Sequence, residues 1–371
     1  MHATRIALDI TPLQNGHRFR GVGRYTRHLV AALAALPGDE IVYLLAYRAP
    51  LDLPPLPPRF RVRYLPRFAR LGRAAALLSH QVALPRLLRR LDVDLFHAPC
   101  LSHDPSVPGL PLYPPVPTVV TIHDLLPLHY PAPLLAPWRK RAFYHRQLAA
   151  ARRARHILTD SEHVRRDVIA RLRVADKQVT AVPLGVSTEP GLPGPVPPDQ
   201  PYILHVGGDY FNKNVGTLRA AYARLRAAGR TTHRLHLVGG QGAAMDEAGD
   251  VRRYAGLSTA ELAAQYRGAA LFAFPSIDEG FGLPPLEAMA YGVPVVAARA
   301  GALPEVLGDA ACFVDPLDVA GWAAALAAIL RDPCLAGHLR DAGRERAARF
   351  PWSRTAEQTL AVYRAARSPR V

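Results

Sequence analysis

Short apolar runs of strand type, each closed by a turn and followed by a helical stretch, recur along the whole of this 371-residue chain. In the first half they lie at residues 5–10, 41–47, 95–97, 119–122 and 157–159; in the second at 202–206, 235–238, 271–274 and 295–297. Strands that alternate with helices need crossover connections, so the chain is restricted to the α/β class with mainly parallel sheets. Both halves open the same way, with a strand, glycines and a helix. Such a turn aims backbone N–H groups and the positive end of a helix dipole at an anion.

Seven prolines between Pro183 and Pro201 break this alternation. The shift divides the chain into an N-terminal Rossmann-like domain at 1–185, a Pro-rich linker at 186–200, a C-terminal Rossmann-like domain at 201–350 and a terminal helix at 351–371. A hydrophobic content of 49% suffices for two cores. No apolar run reaches the roughly 18 residues of a spanning helix. The opening residues, Met1 to Asp9, read as a first strand and not as a signal peptide. Cys100, Cys312 and Cys334 stand apart, which fits a reducing cytosol and no metal cluster.

The formal net charge is +16, and only Lys140, Lys177 and Lys213 among the 46 basic residues are lysine. Such a balance favours anionic partners. No zinc-finger spacing or aromatic-studded RNA-binding signature accompanies it, so nucleic acid is not expected. Two Arg-rich stretches, at 67–91 (interrupted at Pro85) and 134–156, are candidates for an anionic membrane surface. The protein is therefore expected in the cytoplasm, with the inner face of a membrane as a peripheral contact.

The most informative stretch is Phe274 to Gly292. Gly280 and Gly282 open the backbone, Pro284 and Pro285 sit in a first helical turn where missing N–H groups cost nothing, and Gly292-Val-Pro294 is a stop signal. Glu279 lies on the loop and Glu287 in the early helix, so two carboxylates are expected at one pocket. A carboxylate accepts two hydrogen bonds side by side and so suits vicinal hydroxyls. In the preceding block, Lys213 stands at a helix mouth after Gly207-Gly208, where an ammonium neutralises a diphosphate. His123 ends the strand 119–122, at the edge where α/β sites form. Asp92-Val-Asp94 precedes its strand and reads as a solvated turn, not as a metal site.

These residues resemble those of the retaining glycosyltransferases of family 4. The signature there is Glu-x7-Glu around Gly-Phe-Gly-x-Pro, followed by Glu-Ala-Met-Ala and Gly-x-Pro-Val-Val. This chain has Glu279-Gly-Phe-Gly-Leu-Pro-Pro-Leu-Glu287, then Ala288-Met-Ala290 and Gly292-Val-Pro-Val-Val296. Further points of resemblance are Ile122-His-Asp-Leu125 with Pro127, Lys213-Asn214 after paired glycines, and Gly301-Ala-Leu-Pro-Glu-Val306. The resemblance implies the GT-B arrangement, two Rossmann-like domains facing across a cleft, with the terminal helix returning to the first.

It further implies His123, Glu279 and Lys213 as catalytic residues. Gly21, Gly23, Gly208, Lys213, Glu279, Gly280, Phe281, Gly282, Leu283 and Glu287 would bind the donor, with Glu287 on the ribose and Glu279 on the sugar. No cofactor and no metal are expected. The expected partners are a nucleoside-diphosphate sugar, with GDP-mannose leading, and a glycan or lipid-linked acceptor in surface-polysaccharide synthesis. A sugar-nucleotide epimerase of the same architecture and a non-catalytic nucleotide-sugar or anionic-glycan binder are the alternatives.

Overall fold

A computed structural model of the chain describes residues 3–15, 18, 21–51, 53–66, 78–105, 107, 109–188, 200–240, 244–245 and 249–367. The chain divides into two compact units, one of Met1–Gly185 with Trp352–Val371 and one of Val186–Pro351. Most of the Pro-rich stretch (189–199) and the first part of the basic stretch (67–77) lie outside the described residues.

The described residues of the first unit contain seven strands: β1 Arg5–Asp9, β2 Ile41–Ala46, β3 Phe60–Tyr64, β4 Leu95–Ala98, β5 Thr118–Ile122, β6 His156–Thr159 and β7 Val179–Ala181. They form one parallel sheet in the order β3-β2-β1-β4-β5-β6-β7. Strands β4 and β5 are buried along their full length, as the near-continuous apolar runs of a parallel sheet covered on both faces require. Its helices include α1 Gly21–Ala35, α2 Leu84–Leu91, α3 Leu126–His129, α4 Pro131–Leu135, α5 Trp138–Arg152 and α6 Glu162–Leu172.

Three expectations are corrected here. Gly21 and Gly23 form the first turn of α1 and not a loop ahead of it. The basic stretch is not broken at Pro85: a π-type turn at Ser79–Ala83 runs straight into α2, with Pro85 in the first helical turn. Proline has no N–H to give the preceding turn, and a bulged turn absorbs that loss. The second Arg-rich stretch is not one element: it takes in the end of α4, then α5 after the extended Pro137, and the first residue of β6.

The helix Trp352–Ala366 packs onto the first unit through specific polar contacts. Tyr363 Oη lies 2.6 Å from His97 Nδ1, Thr355 Oγ1 donates to the Pro183 carbonyl at 2.7 Å, and Arg364 pairs with the buried Glu40 at 2.6 Å. The Trp352 ring stacks on His28 at 5.0 Å.

The described residues of the second unit repeat the plan. Strands β8 Tyr202–Val206, β9 Arg234–Val238, β10 Ala244–Met245, β11 Val251–Tyr254, β12 Leu271–Phe274, β13 Val295–Ala298 and β14 Cys312–Val314 are ordered β10-β11-β9-β8-β12-β13-β14. Only the β10–β11 pair is antiparallel. Helices α7 Val215–Ala227, α8 Thr259–Gly268, α9 Leu283–Ala290, α10 Leu303–Leu307, α11 Val319–Arg331 and α12 Pro333–Ala348 accompany them. Helix α8 starts with a capping box between Ser258 and Glu261. Helix α11 starts at Val319 under an Asp318 cap, four residues after Asp315, which instead closes a turn by accepting from Leu317 N.

In both units the strand order reverses beside the first strand: between β1 and β4, and between β8 and β12. Ligands of open α/β sheets bind outside the carboxyl ends of the strands at such a reversal. In the second unit, the loops leaving that point are Gly207–Asn214 after β8 and Pro275–Gly282 after β12.

Candidate active site

The loop after β8 and the loop after β12 are tied together by hydrogen bonds. The Asn212 carbonyl accepts from Ile277 N at 2.8 Å and lies 2.8 Å from Ser276 Oγ, while Asn212 Nδ2 donates to the Asp278 carbonyl at 3.2 Å. Asn214 takes a left-handed backbone at φ 51° and donates to the carbonyls of Pro275 and Pro316. Small polar side chains tolerate that conformation. It turns the chain from the short helical turn Phe211–Lys213 directly into α7.

Lys213 and Glu279 meet on this frame. The ammonium is ion-paired with Glu279 Oε1, and Ser276 Oγ lies against the same carboxylate oxygen. Their side chains are 18% and 13% exposed, so the pair is largely shielded but opens to solvent. Lys213 Nζ also stands 5.2 Å from the centre of the Phe274 ring.

The Glu279 loop has its shape because two glycines accept close approach. Gly282 has φ +91°, and a Cβ there would meet Leu303 Cδ2 at 2.4 Å. Gly301 has φ +55°, and a Cβ there would lie 2.5 Å from Glu279 O and 2.6 Å from Glu279 N. Ala302 N holds the same carbonyl at 2.9 Å. The turn after β13 thus supports the carboxylate loop from below.

Glu287 is 3% exposed on α9 and accepts a hydrogen bond from Tyr266 Oη at 2.9 Å. Tyr266 stacks on Tyr291 at 5.5 Å, so the carboxylate sits in an aromatic wall. Phe281 and Leu283, both expected at the donor, have buried side chains; the Phe281 ring meets Phe350 edge-on at 5.9 Å. Gly208 follows β8 and abuts the Tyr210 ring.

In the first unit, His123 follows β5 directly. Its Nε2 donates to the Pro99 carbonyl at 2.9 Å, and its Nδ1 lies 2.7 Å from Asp160 Oδ2. A carbonyl only accepts, so Nε2 carries a proton and the Asp160 contact requires a second one, shared between carboxylate and imidazole. Burial alone would lower the His123 pKa. The charge and hydrogen bond of Asp160, the charge of Asp124 and the Pro99 carbonyl outweigh it, and the net is above the ordinary value. Burial raises the Asp160 carboxyl, opposed by His123.

The Tyr25 ring meets His123 edge-on at 4.9 Å. Its hydroxyl, 3.1 Å from Thr121 Oγ1, continues a buried chain through His97 Nε2 at 2.8 Å to Tyr363. Gly21 and Gly23, in α1, belong to this unit, as His123 does; Lys213, Glu279 and Glu287 belong to the other. Asp160, Tyr25, Ser276 and Tyr266 are not among the residues singled out from the sequence, whereas Gly301 opens the Gly301–Val306 motif noted there. Asp160 and Ser276 were open to view: Asp160 directly follows the strand run 157–159, and Ser276 lies three residues before Glu279. No group of three or more metal-ligating side chains occurs among the described residues.

Residues 19–190 match the family described as Glycosyltransferase Family 4, and residues 200–332 match Glycosyl transferases group 1. The chain belongs to the family 4 glycosyltransferases. Among relatives of this family 4 chain is the MMP alpha-(1->4)-mannosyltransferase of Mycolicibacterium hassiacum, 38% identical over 62% of this chain and 58% of the relative. Another is the O-antigen chain mannosyltransferase B of Escherichia coli, 31% identical over 57% of this chain and 61% of the relative. The aligned part of the chain thus spans about three-fifths of either relative. The sucrose-phosphate synthase of Thermosynechococcus elongatus shares the fold at TM-score 0.72 and 23% identity, covering 98% of both chains. This places the family 4 chain in the GT-B fold.

Proposed function

We propose that this chain is a retaining, metal-independent glycosyltransferase that moves mannose from GDP-mannose to a glycan or lipid-linked acceptor in surface-polysaccharide synthesis. The carrying observation is the Lys213–Glu279 pair at the strand-order reversal of the second unit, with Glu287 on the helix that follows the same loop. The names of the two mannosyltransferase relatives support the sugar.

In this reading Glu287 accepts the ribose hydroxyls and Glu279 those of the hexose. Lys213 leaves Glu279 for the diphosphate and offsets the charge that grows as the bond from C1 to the phosphate oxygen breaks. The acceptor oxygen forms its bond to C1 on the same face, and its proton passes to the departing phosphate oxygen. His123, held as an imidazolium by Asp160, supplies a fixed positive charge at the carboxyl edge of the first sheet. No step calls for a metal, because an ammonium and N–H groups carry the leaving group's charge.

The exposed face of α5, with Trp138 at 73% exposure and Arg139 over its ring, is proposed to touch anionic lipid. Co-sedimentation with phosphatidylglycerol vesicles tests this, and protein left wholly in the supernatant contradicts it. The reaction is tested by proton NMR of GDP-mannose held with excess protein, with water as the acceptor. Slow release of α-mannose first is expected. β-Mannose first would overturn retention, and a new nucleotide sugar in place of free sugar would favour an epimerase.

A further inference from the structure

His205 is the one histidine of the second unit, among the described residues, with a buried ring nitrogen that has no hydrogen-bond partner. It is 1% exposed at the end of β8, and its Nδ1 donates to the Ala273 carbonyl at 3.0 Å. Nε2 is therefore a bare lone pair, and no described atom hydrogen-bonds to it. Burial holds its pKa down at about 4, with Lys213 lowering it further while the Ala273 contact and Asp209 oppose. The ring is neutral at physiological pH. An unsatisfied buried acceptor is costly and rarely kept without a reason.

The lone pair faces a small space that exists because residue 207 is glycine. A Cβ on Gly207 would lie 2.9 Å from His205 Nε2 and 3.4 Å from Lys213 Cδ. The lysine stem and the imidazole thus border the same space, with Cδ two bonds short of the ammonium. The ammonium itself is turned away, onto Glu279.

We propose that Lys213 has two seats, the Glu279 carboxylate in the unloaded site and the His205 Nε2 lone pair when a nucleoside diphosphate is bound, which makes His205 the positioning residue for the phosphate-binding lysine. This rests on the donor-site reading above. An ammonium has three N–H donors. Once Glu279 turns to sugar hydroxyls, one N–H goes to the phosphate and a second to His205, so the last orphan acceptor of the site is satisfied in the loaded state. A neutral imidazole suits this role, because a charged one would repel the lysine.

The test is nitrogen-15 NMR of protein labelled at histidine, titrated with GDP, together with calorimetry of His205→Phe and His205→Gln. In the free protein His205 Nε2 should resonate as an unprotonated, unbonded nitrogen. Saturation with GDP should move it upfield, the direction of an accepted hydrogen bond. Glu279→Ala, which removes the first seat, should move it the same way with no nucleotide present. His205→Phe keeps the stacking on Phe274 and should weaken GDP about tenfold, whereas His205→Gln, which restores an acceptor, should stay within about threefold. GDP binding that leaves Nε2 and the His205→Phe affinity unchanged would overturn the two seats and leave the donor site standing. Absence of GDP binding, with no shift in Glu279→Ala, would overturn both.

Discussion

Lys213 Nζ and Glu279 Oε1 are joined across 66 residues of sequence, and that contact holds the loop after β8 to the loop after β12. The pair is largely buried, so removing either partner strands the other. Lys213→Ala is expected to cost about 1–3 kcal/mol, below the 3–5 of a fully buried pair because both side chains retain some exposure. In Lys213→Ala/Glu279→Ala the loss should be smaller than the sum of the singles, a coupling that urea unfolding of the four proteins would measure. Additive losses would show that the contact contributes nothing.

Asp160 controls the proton inventory of His123. Asp160→Asn removes the largest of the contributions that lift the histidine and leaves only Asp124 and the Pro99 carbonyl against burial, so the His123 pKa should fall in an NMR titration. Both raised groups bind protons more tightly when folded, so their stabilisation is complete below the unfolded values and is lost as pH rises through the folded ones. The advantage of wild type over Asp160→Asn should therefore shrink above pH 6.5. An unchanged His123 pKa in the variant would remove Asp160 from this role.

The buried neutral histidines act in the opposite direction. Burial, with His123 nearby, lowers His97 to about 3, and burial lowers His205 to about 4. Groups with depressed folded pKa values stabilise above the unfolded value of 6.5, and that contribution is lost as pH falls from 6.5 towards 4 and below. Each is worth on the order of 3–5 kcal/mol at neutral pH. Thermal melts from pH 7 to 4 should show a steep fall that His97→Asn reduces. A variant melting profile parallel to wild type would contradict the assignment.

Gly301→Ala should damage the Glu279 loop without removing any side chain of the site. Its φ is left-handed and its Cβ would press on the Glu279 backbone, so a loss of about 1–3 kcal/mol is expected. Nucleotide binding should fall along with stability. Gly337→Ala, where a Cβ would meet nothing within 4 Å on α12, is the control and should melt within about 0.5 kcal/mol of wild type.

Much of this was legible in the sequence because strand runs buried on both faces, such as Val119–Ile122 and Phe272–Phe274, must be largely apolar. The Gly-Pro punctuation around Leu283–Ala290 likewise marked both ends of that helix. Strand β3 was not read: Phe60-Arg-Val-Arg-Tyr64 is an edge strand whose outer face carries arginine, and it follows a run of prolines. Helix α12 was missed although Ala336, Leu339, Gly343 and Ala347, its buried positions, repeat at helical spacing; small residues give a weak apolar stripe. Pairings such as Lys213 with Glu279 and His123 with Asp160 come from chain crossing, which local patterns do not encode. The orphan nitrogen of His205 could only be found from the packed site.

The most direct measurement is calorimetry of GDP-mannose, with UDP-glucose as the comparison, on wild type, Lys213→Ala and Glu287→Gln. Glutamine keeps an acceptor for Tyr266 Oη, so the fold should persist. The proposed site predicts that wild type binds GDP-mannose, that Lys213→Ala weakens it at least about tenfold, and that Glu287→Gln weakens it with a matching loss for free GDP. If neither sugar nucleotide nor GDP binds wild type, or if both variants bind as wild type does, the donor site is not where Lys213, Glu279 and Glu287 stand.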